Sequence, residues 1–489
     1  MWAAHQLYNT LVEVDEKLNI KPSIAKSWEF SDDKKTIVFH LKRDIFFHDD
    51  AAFERGKGRM LTAADVQYSF SRIIDKNTAS PGAWIFNNRV DSVAPFTAIN
   101  DSTFQLKLLT AFQPILGILS MQYCSIIPAE AVEKYGGNFR RHPVGTGPFK
   151  FVAWEEGQAL ILGKNEHYFE RDSSGYPLPY LDGVKVSFYD SKATEFLEFR
   201  QKRLDFINDI DPSFKDELLS KTGNLKKEWL GELQLNKHPY LNIEYFGILF
   251  DSSNLLLKNS PLKSRLVRQA INYGINRQKM MLYLRNSIGT AAQSGFIPQG
   301  LPSFDDKQVV GYSYDPAKAI KLLEDAGFKA GSAMPQIKLL TIPAYSNLAS
   351  YVANELKQVG IDVQVESVQK SLLLEQTSKS QALFFRGSWI ADYPDAENYL
   401  SVFYSKNPAP PNYTRYKNLQ FDALYERALK EEDDLARYII YRQMDRLIIQ
   451  DAPVVPLWYD MVLHLVHNGV TGFRPNGLNM LELRNARKL

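Results

Sequence analysis

IKLLTIPAYSNLASYVANELKQVGIDVQVES, residues 337–367, decides the fold class. Ile337–Ile342 is a short apolar run. Leu348, Val352, Leu356 and Val359 then recur at helical spacing, and Gly360 stops the helix. IDVQVES alternates apolar and polar residues, as a half-buried strand does. Strand, helix, strand in that order is a βαβ unit, which demands parallel pairing and a right-handed crossover. The next run, ALFFRGSW (382–389), is expected to join the same sheet. Its carboxyl end delivers SWIADYPDAENYL (388–400), which crowds an indole, two aspartates, two phenols and a proline into one short stretch. Ligands of open α/β sheets bind just beyond the carboxyl ends of strands.

Upstream of this unit the pattern is also helical. YDPAKAIKLLEDAGF places Asp315 as N-cap, Pro316 at the first helical position and Gly327 at the stop, with Ala319, Leu322, Leu323 and Ala326 facing inward. PLKSRLVRQAINYGINRQKMMLYL is expected to be interrupted near Gly274 and recapped by Asn276. Residues 19–140 form another α/β stretch. TIVFHL (36–41) and FQLKL (104–108) alternate as strands. Between them Thr62 caps a helix, Asp65 sits in its first turn, and Val66, Phe70, Ile73 and Ile74 share its apolar face. VKVSFYD (184–190) is a further strand, and EFLEFRQKRLDFI (195–207) is a helix running into strand.

The totals exclude several classes. The 489 residues suggest two to four domains, or one large interrupted one, and 45% hydrophobic residues make the chain globular. Net charge is +2, from 58 basic and 56 acidic residues, which lacks the excess of a nucleic-acid binder. The 25 Tyr, 29 Phe and 7 Trp fit either a large core or an aromatic-lined cavity. The one cysteine, Cys124, lies among apolar neighbours, so it is read as a buried thiol, and no disulfide or cysteine-based metal site is available within the chain. No run reaches the length of a membrane span. The opening MWAAHQLYNTLVEV has neither the basic nor the long apolar region of a secretory leader, and it starts in folded-looking sequence, so we expect a trimmed chain.

Catalytic and metal motifs fare poorly. GTGPFK (145–150) fails the dinucleotide and P-loop patterns and is read as a turn. There is no HExxH and no GxSxG elbow. His464 and His467 in HLVH would face opposite sides of a strand. His48, Asp49 and Asp50 are hard ligands in type, but FHDDAAFERGKGR (47–59) reads as an exposed loop of unassigned role. Asp392 and Asp395 have the spacing of a glycosidase pair. Asp395 is accounted for as a cap on the helix that follows it. Asp392, beside Trp389 at the mouth of an apolar strand, is not, because a carboxylate there is costly unless paired. Its partner is either a protein arginine or a cationic group of a ligand.

Six stretches, in order along nearly the whole chain, resemble the peptide-binding solute receptors of ABC importers, the oligopeptide/dipeptide-binding family of extracytoplasmic binding proteins. They are residues 7–50, GRMLTAADVQYSFSRIID (58–75), HPVGTGPFKF (142–151), LVRQAINYGINRQKM (266–280), YDPAKAIKLLEDAGF (314–328 with its lead-in) and WIADYPDAENYL (389–400). Gly274 and Asn276 stand where the family more often has Ala and Asp. The resemblance implies an α/β, two-lobed periplasmic-binding-protein-like fold of the large type II, cluster C kind, with an extra α/β domain inserted in the first lobe. Carried onto this chain, lobe one is 1–18, 141–241 and 461–489, the extra domain is 19–140, and lobe two is 242–460.

The implied function is an extracytoplasmic receptor, not an enzyme. It would bind an extended di- or oligopeptide between the lobes by added β-structure and hydrated side-chain pockets, and hand it to a membrane permease. Asp392 would receive the α-ammonium, with Trp389 and Tyr393 as walls. Arg386 would meet a ligand carboxylate or form a structural salt bridge. Asn9, Thr10 and Leu11 would line the cleft from lobe one, and Trp84 from the extra domain. Tyr413 and Tyr459 are wall or core residues. No cofactor, metal or nucleic acid is implied. The expected state is a monomer in the periplasm or on the outer face of the cytoplasmic membrane, with or without a lipid anchor. The alternatives are a non-peptide cargo, since the family also includes receptors for nickel, haem, oligosaccharides and opines, and a hydrolase built on Asp392 and Asp395.

Overall fold

The computed structural model describes residues 1–210, 212–328 and 334–489. Two compact units share the chain. One comprises Met1–Phe214, Glu228–His238 and Leu463–Leu489; the other comprises Lys215–Lys227 and Pro239–Val462. Two long strands, Leu233–Ile248 and Val454–His467, carry the chain from one unit to the other.

The second unit is built on the βαβ element. Ile337–Thr341 pairs in parallel with Val363–Ser367, joined by the helix Ser346–Gln358. Phe384–Ile390 lies on the other side of Ile337–Thr341, also parallel, and pairs antiparallel with Leu233–Ile248. Val454–His467 follows next in the sheet. One sheet face is closed by helices over Phe246, Ile248, Leu339, Phe384 and Trp458, with Val352 and Leu356 packed from the helix Ser346–Gln358. The expected signals are in place. Asp315 Oδ1 accepts from Lys318 N at 2.9 Å, Asn276 Oδ1 accepts from Lys279 N at 2.9 Å, and Gly327 and Gly360 end helices at φ +94° and +92°.

In the first unit, Ala25–Phe30, Thr36–Leu41, Thr103–Lys107 and Phe96–Asn100 form an antiparallel sheet. The helix Ala63–Ile74 covers it with Val66, Phe70 and Ile73. Its start is a capping box in which Thr62 N–H donates to Asp65 Oδ2 at 2.8 Å. Asp65 also holds Arg59, which reaches on to Glu130. A second sheet runs Phe149–Glu155, Ala159–Lys164, Gly183–Ser187.

GTGPFK has a packing reason. A Cβ at Gly145 would stand 2.1 Å from Leu7 O, and one at Gly147 would stand 2.4 Å from Gln6 O. Only glycine lets this segment lie against the end of the helix Trp2–Leu7. The expectation of an exposed 47–59 loop is corrected at His48, which is 4% exposed. Gly145 N–H donates to its Nδ1 at 3.3 Å, so Nε2 carries the proton and donates to Gly147 O at 3.0 Å. Burial pushes this imidazole down to a pKa of about 4. His464 and His467 have separate partners, Asn479 Oδ1 at 3.1 Å and Phe199 O at 2.8 Å. Cys124 is buried. Among the described residues no helix is long and apolar enough to cross a membrane.

Candidate functional site

The strand Phe384–Ile390 is paired along its whole length with Asn242–Ile248, and at its start, Phe384 and Phe385, also with Leu339 and Leu340. The peptide that follows is tied to the neighbouring strand. Ala391 N–H donates to Leu241 O at 2.9 Å, and Tyr399 Oη donates to the same carbonyl at 2.5 Å. A short helix, Glu397–Leu400, then turns back beneath the peptide. The expected cap is corrected by one residue: the N-cap is Ala396, and Asp395 just before it accepts from Glu397 N through Oδ1 at 2.8 Å.

The two aspartates have different surroundings. Asp395 is enclosed. Tyr441 Oη donates to it at 2.7 Å, Arg437 Nη2 lies 3.7 Å away, and burial pushes its pKa up to about 6 against the pull of Arg437. Asp392 stands at the surface. Desolvation by the surrounding wall raises its pKa, and a hydrogen bond from Asn398 opposes that rise. Among the described residues no basic side chain lies within ion-pair distance of Asp392. Among the described residues its hydrogen-bond partner is Asn398. Asp392 N–H points to Asn398 Oδ1 at 3.4 Å, and Asn398 Nδ2 points to Asp392 Oδ2 at 3.5 Å. The same Oδ1 accepts from Trp389 Nε1 at 2.8 Å. Trp389, Asp392 and Asn398 therefore form one cluster.

The other candidate residues are distributed as follows. Tyr393 is buried, and its hydroxyl donates to Glu397, which Tyr425 also engages. Arg386, three residues before Trp389, projects from the opposite face of the strand, since side chains alternate. It pairs with the buried Glu244 at 2.6 Å and lies 4.0 Å from the ring of Tyr345, whose hydroxyl also reaches Glu244 at 3.2 Å. Tyr413 is half-buried against Leu340, Leu373, Ala382 and Phe385. Tyr459 is buried and donates to Gly295 O at 2.7 Å.

Asn9, Thr10, Leu11 and Trp84 belong to the first unit. The first three are buried and bonded there. Asn9 Oδ1 accepts from Thr146 at 3.0 Å, Thr10 Oγ1 donates to Val12 O at 2.7 Å, and Leu11 O accepts from Ala25 N at 2.9 Å. Trp84 is 38% exposed, with Arg89 over its ring at 5.8 Å.

Sequence reasoning missed Asn398 and Glu244. An acid inside the apolar strand segment NIEYFGILF was the available signal for Glu244. Nothing in the spacing marked Asn398.

Known proteins give the family and the fold. The family described as bacterial extracellular solute-binding proteins, family 5 Middle, matches residues 19–411. The chain is 26% identical over 474 residues to the heme-binding protein A of Haemophilus influenzae, covering 93% of this chain and 82% of that protein. It is 25% identical over 479 residues to the glutathione-binding protein GsiB of Salmonella choleraesuis, covering 96% and 86%. Among solved structures, the periplasmic binding protein DppA of Helicobacter pylori in complex with the peptide STSA superposes with a TM-score of 0.75 at 26% identity, covering 98% of this chain and 92% of that one. These matches carry the two-lobed α/β periplasmic-binding-protein-like fold class expected from the sequence. The family match runs over most of the chain, and the proteins it resembles are named as binding proteins, one of them ABC transporter-associated, so this chain belongs to the family 5 bacterial extracellular solute-binding proteins.

Proposed function

We propose that this chain captures a peptide bearing a free α-amino group and delivers it to an ABC permease, with Asp392 receiving the ammonium. The observation that carries the reading is the carboxylate itself. It sits beyond the end of a central strand, partly desolvated, with no basic side chain among the described residues within ion-pair distance. Its relatives include a protein named for glutathione and one solved with a bound peptide, and both of those ligands bear a primary amine. Trp389 and Tyr413 form the wall beside the amine. Tyr393 and Tyr459 back that wall, their hydroxyls being bonded inward. Arg386 orders the opposite face through Glu244.

In this reading Asn9, Thr10 and Leu11 act from within the first unit, where they are buried, Trp84 is exposed on that unit, and 19–140 is the inserted domain. The protein acts as a receptor outside the cytoplasmic membrane and performs no catalysis. Asp395 is no partner for a hydrolytic pair, since it is committed to Tyr441, Glu397 and Arg437.

The test is competitive retention. The protein is equilibrated with a random tripeptide pool, half of it N-acetylated, and the bound fraction is read by mass spectrometry. A hydrogen bond to a charged group contributes roughly 1.5–3 kcal/mol, so free-amine peptides should be enriched about 10- to 150-fold. Asp392→Asn should abolish the enrichment while leaving the melting temperature within a degree or two. Equal retention of the acetylated peptides, or retention of no peptide at all, overturns the reading.

A further inference from the structure

We infer that Asn398 is a positioning residue of this site, a single side-chain amide that locks the Asp392 carboxylate and the Trp389 indole into one rigid unit. The inference rests on the reading above only for what that unit faces. The amide's orientation is fixed by chemistry. The indole Nε1–H is a donor and nothing else, so the Asn398 atom 2.8 Å from it is the carbonyl oxygen. The NH2 group is then the end directed at Asp392 Oδ2, at 3.5 Å. The Asp392 backbone N–H approaches the same Oδ1 at 3.4 Å, so backbone and carboxylate of Asp392 straddle one amide.

The amide itself has little freedom. Asn398 is 4% exposed and lies in the helix Glu397–Leu400. That helix starts with Glu397 N bonded to Asp395 Oδ1, is tied through Tyr399 to Leu241 O, and is closed by Ser401 Oγ donating to Asn398 O at 2.9 Å. Strand, helix and indole thus hold the amide, and the amide holds the carboxylate. Asn398 Nδ2 occupies one side of Oδ2, which leaves Oδ1 and the remaining lone pair of Oδ2 for a guest. A group with an acceptor in place of the amide NH2 would set two acceptors against each other. A group with no acceptor would strand the indole N–H.

The experiment reads Asp392 directly and needs no ligand. The carboxyl carbon of Asp392 is identified in 13C NMR spectra of the full chain by its disappearance in Asp392→Asn, then titrated in wild type, Asn398→Ala and Asn398→Asp. The expected result is an upward move of the Asp392 midpoint in both Asn398 variants, larger in the aspartate variant, which sets a second carboxylate beside the first. In the tripeptide pool, Asn398→Ala should lower retention of free-amine peptides about 2- to 12-fold.

Asn398→Asp is close to isosteric, so it decides the matter if the alanine variant does not fold. An unmoved midpoint in a folded variant overturns the inference, whatever the peptides do. A moved midpoint with no preference for free amines upholds the role of Asn398 and removes the ammonium reading instead.

Discussion

His48 in the first unit and Asp395 in the second are both enclosed side chains that titrate, and burial moves them in opposite senses of charge and pH. His48 is driven down to about 4, and its neighbour in kind, His464, also to about 4. Asp395 is driven up to about 6, and Asp445, which accepts from Phe296 N at 2.6 Å, up to about 7. Each is neutral or nearly so at its own best pH, because an uncompensated charge is expensive inside. Mild acid therefore acts against the first unit and in favour of the second. The packing differs less. The first unit closes by backbone on backbone, Gly145 and Gly147 against Leu7 and Gln6. The second has a close backbone approach of its own, Gly311 against Ser294, and both units also pack helix side chains on a sheet.

The largest expected effect tests the closure. Gly147→Ala puts a methyl 2.4 Å from Gln6 O, and backbone cannot step aside as a side chain can. We expect a loss of about 3 kcal/mol or more, seen as a lowered first-unit transition in calorimetry with the second-unit transition unmoved. Coincident loss of both transitions would break the contrast between the units.

The next effect is the response to acid. His48 has its folded pKa depressed from 6.5 to about 4, so its contribution is full above pH 6.5 and is lost as pH falls toward 4. Asp395 and Asp445 have theirs raised from 3.8, so their contributions are full below that value and are lost as pH rises through about 6 and about 7. Between pH 7 and 5 each group should shift stability by roughly 1–2 kcal/mol, least for Asp395, downward for the histidine and upward for the acids. Hydrogen exchange, corrected for its intrinsic pH dependence, should show protection falling in first-unit peptides and rising in second-unit ones. Parallel changes would refute the assignment of these groups.

The smallest effect is at a helix end of the second unit. Gly327 has φ +94° and open space around its Cα, so Gly327→Ala adds only the left-handed backbone penalty, roughly 1 kcal/mol. A cost as large as that of Gly147→Ala would mean this helix end is as tightly closed as the Gly147 contact.

Local grammar was legible in the sequence. Thr62 with Asp65, Asp315 with Pro316, Asn276 and Gly360 all announce helix ends, because caps act within four residues. The βαβ element was legible for the same reason, through period and breaker. Contacts that span the chain were not. His48 looked exposed among charged neighbours, yet its partners are Gly145 and Gly147, nearly a hundred positions away. The partner of Arg386 is Glu244, 142 positions earlier, on a strand whose register no spacing reveals. At the candidate site, Asp392 stood out because no local rule explained it. Asn398 did not, because an asparagine in a first helical turn has an ordinary explanation.

The helix Trp2–Leu7 is pinned by distant sequence. Trp2 Nε1 donates to Asn479 O at 2.6 Å, Gln6 Nε2 to Leu481 O at 2.6 Å, and Arg484 bridges to Glu13 at 2.8 Å. A ribosome emits residues 2–13 hundreds of peptide bonds before their mates. The bonds to residues 479–484 therefore wait for the far end of the unit to be made, while those from Leu7 and Asn9 to Gly147 and Ile126 do not.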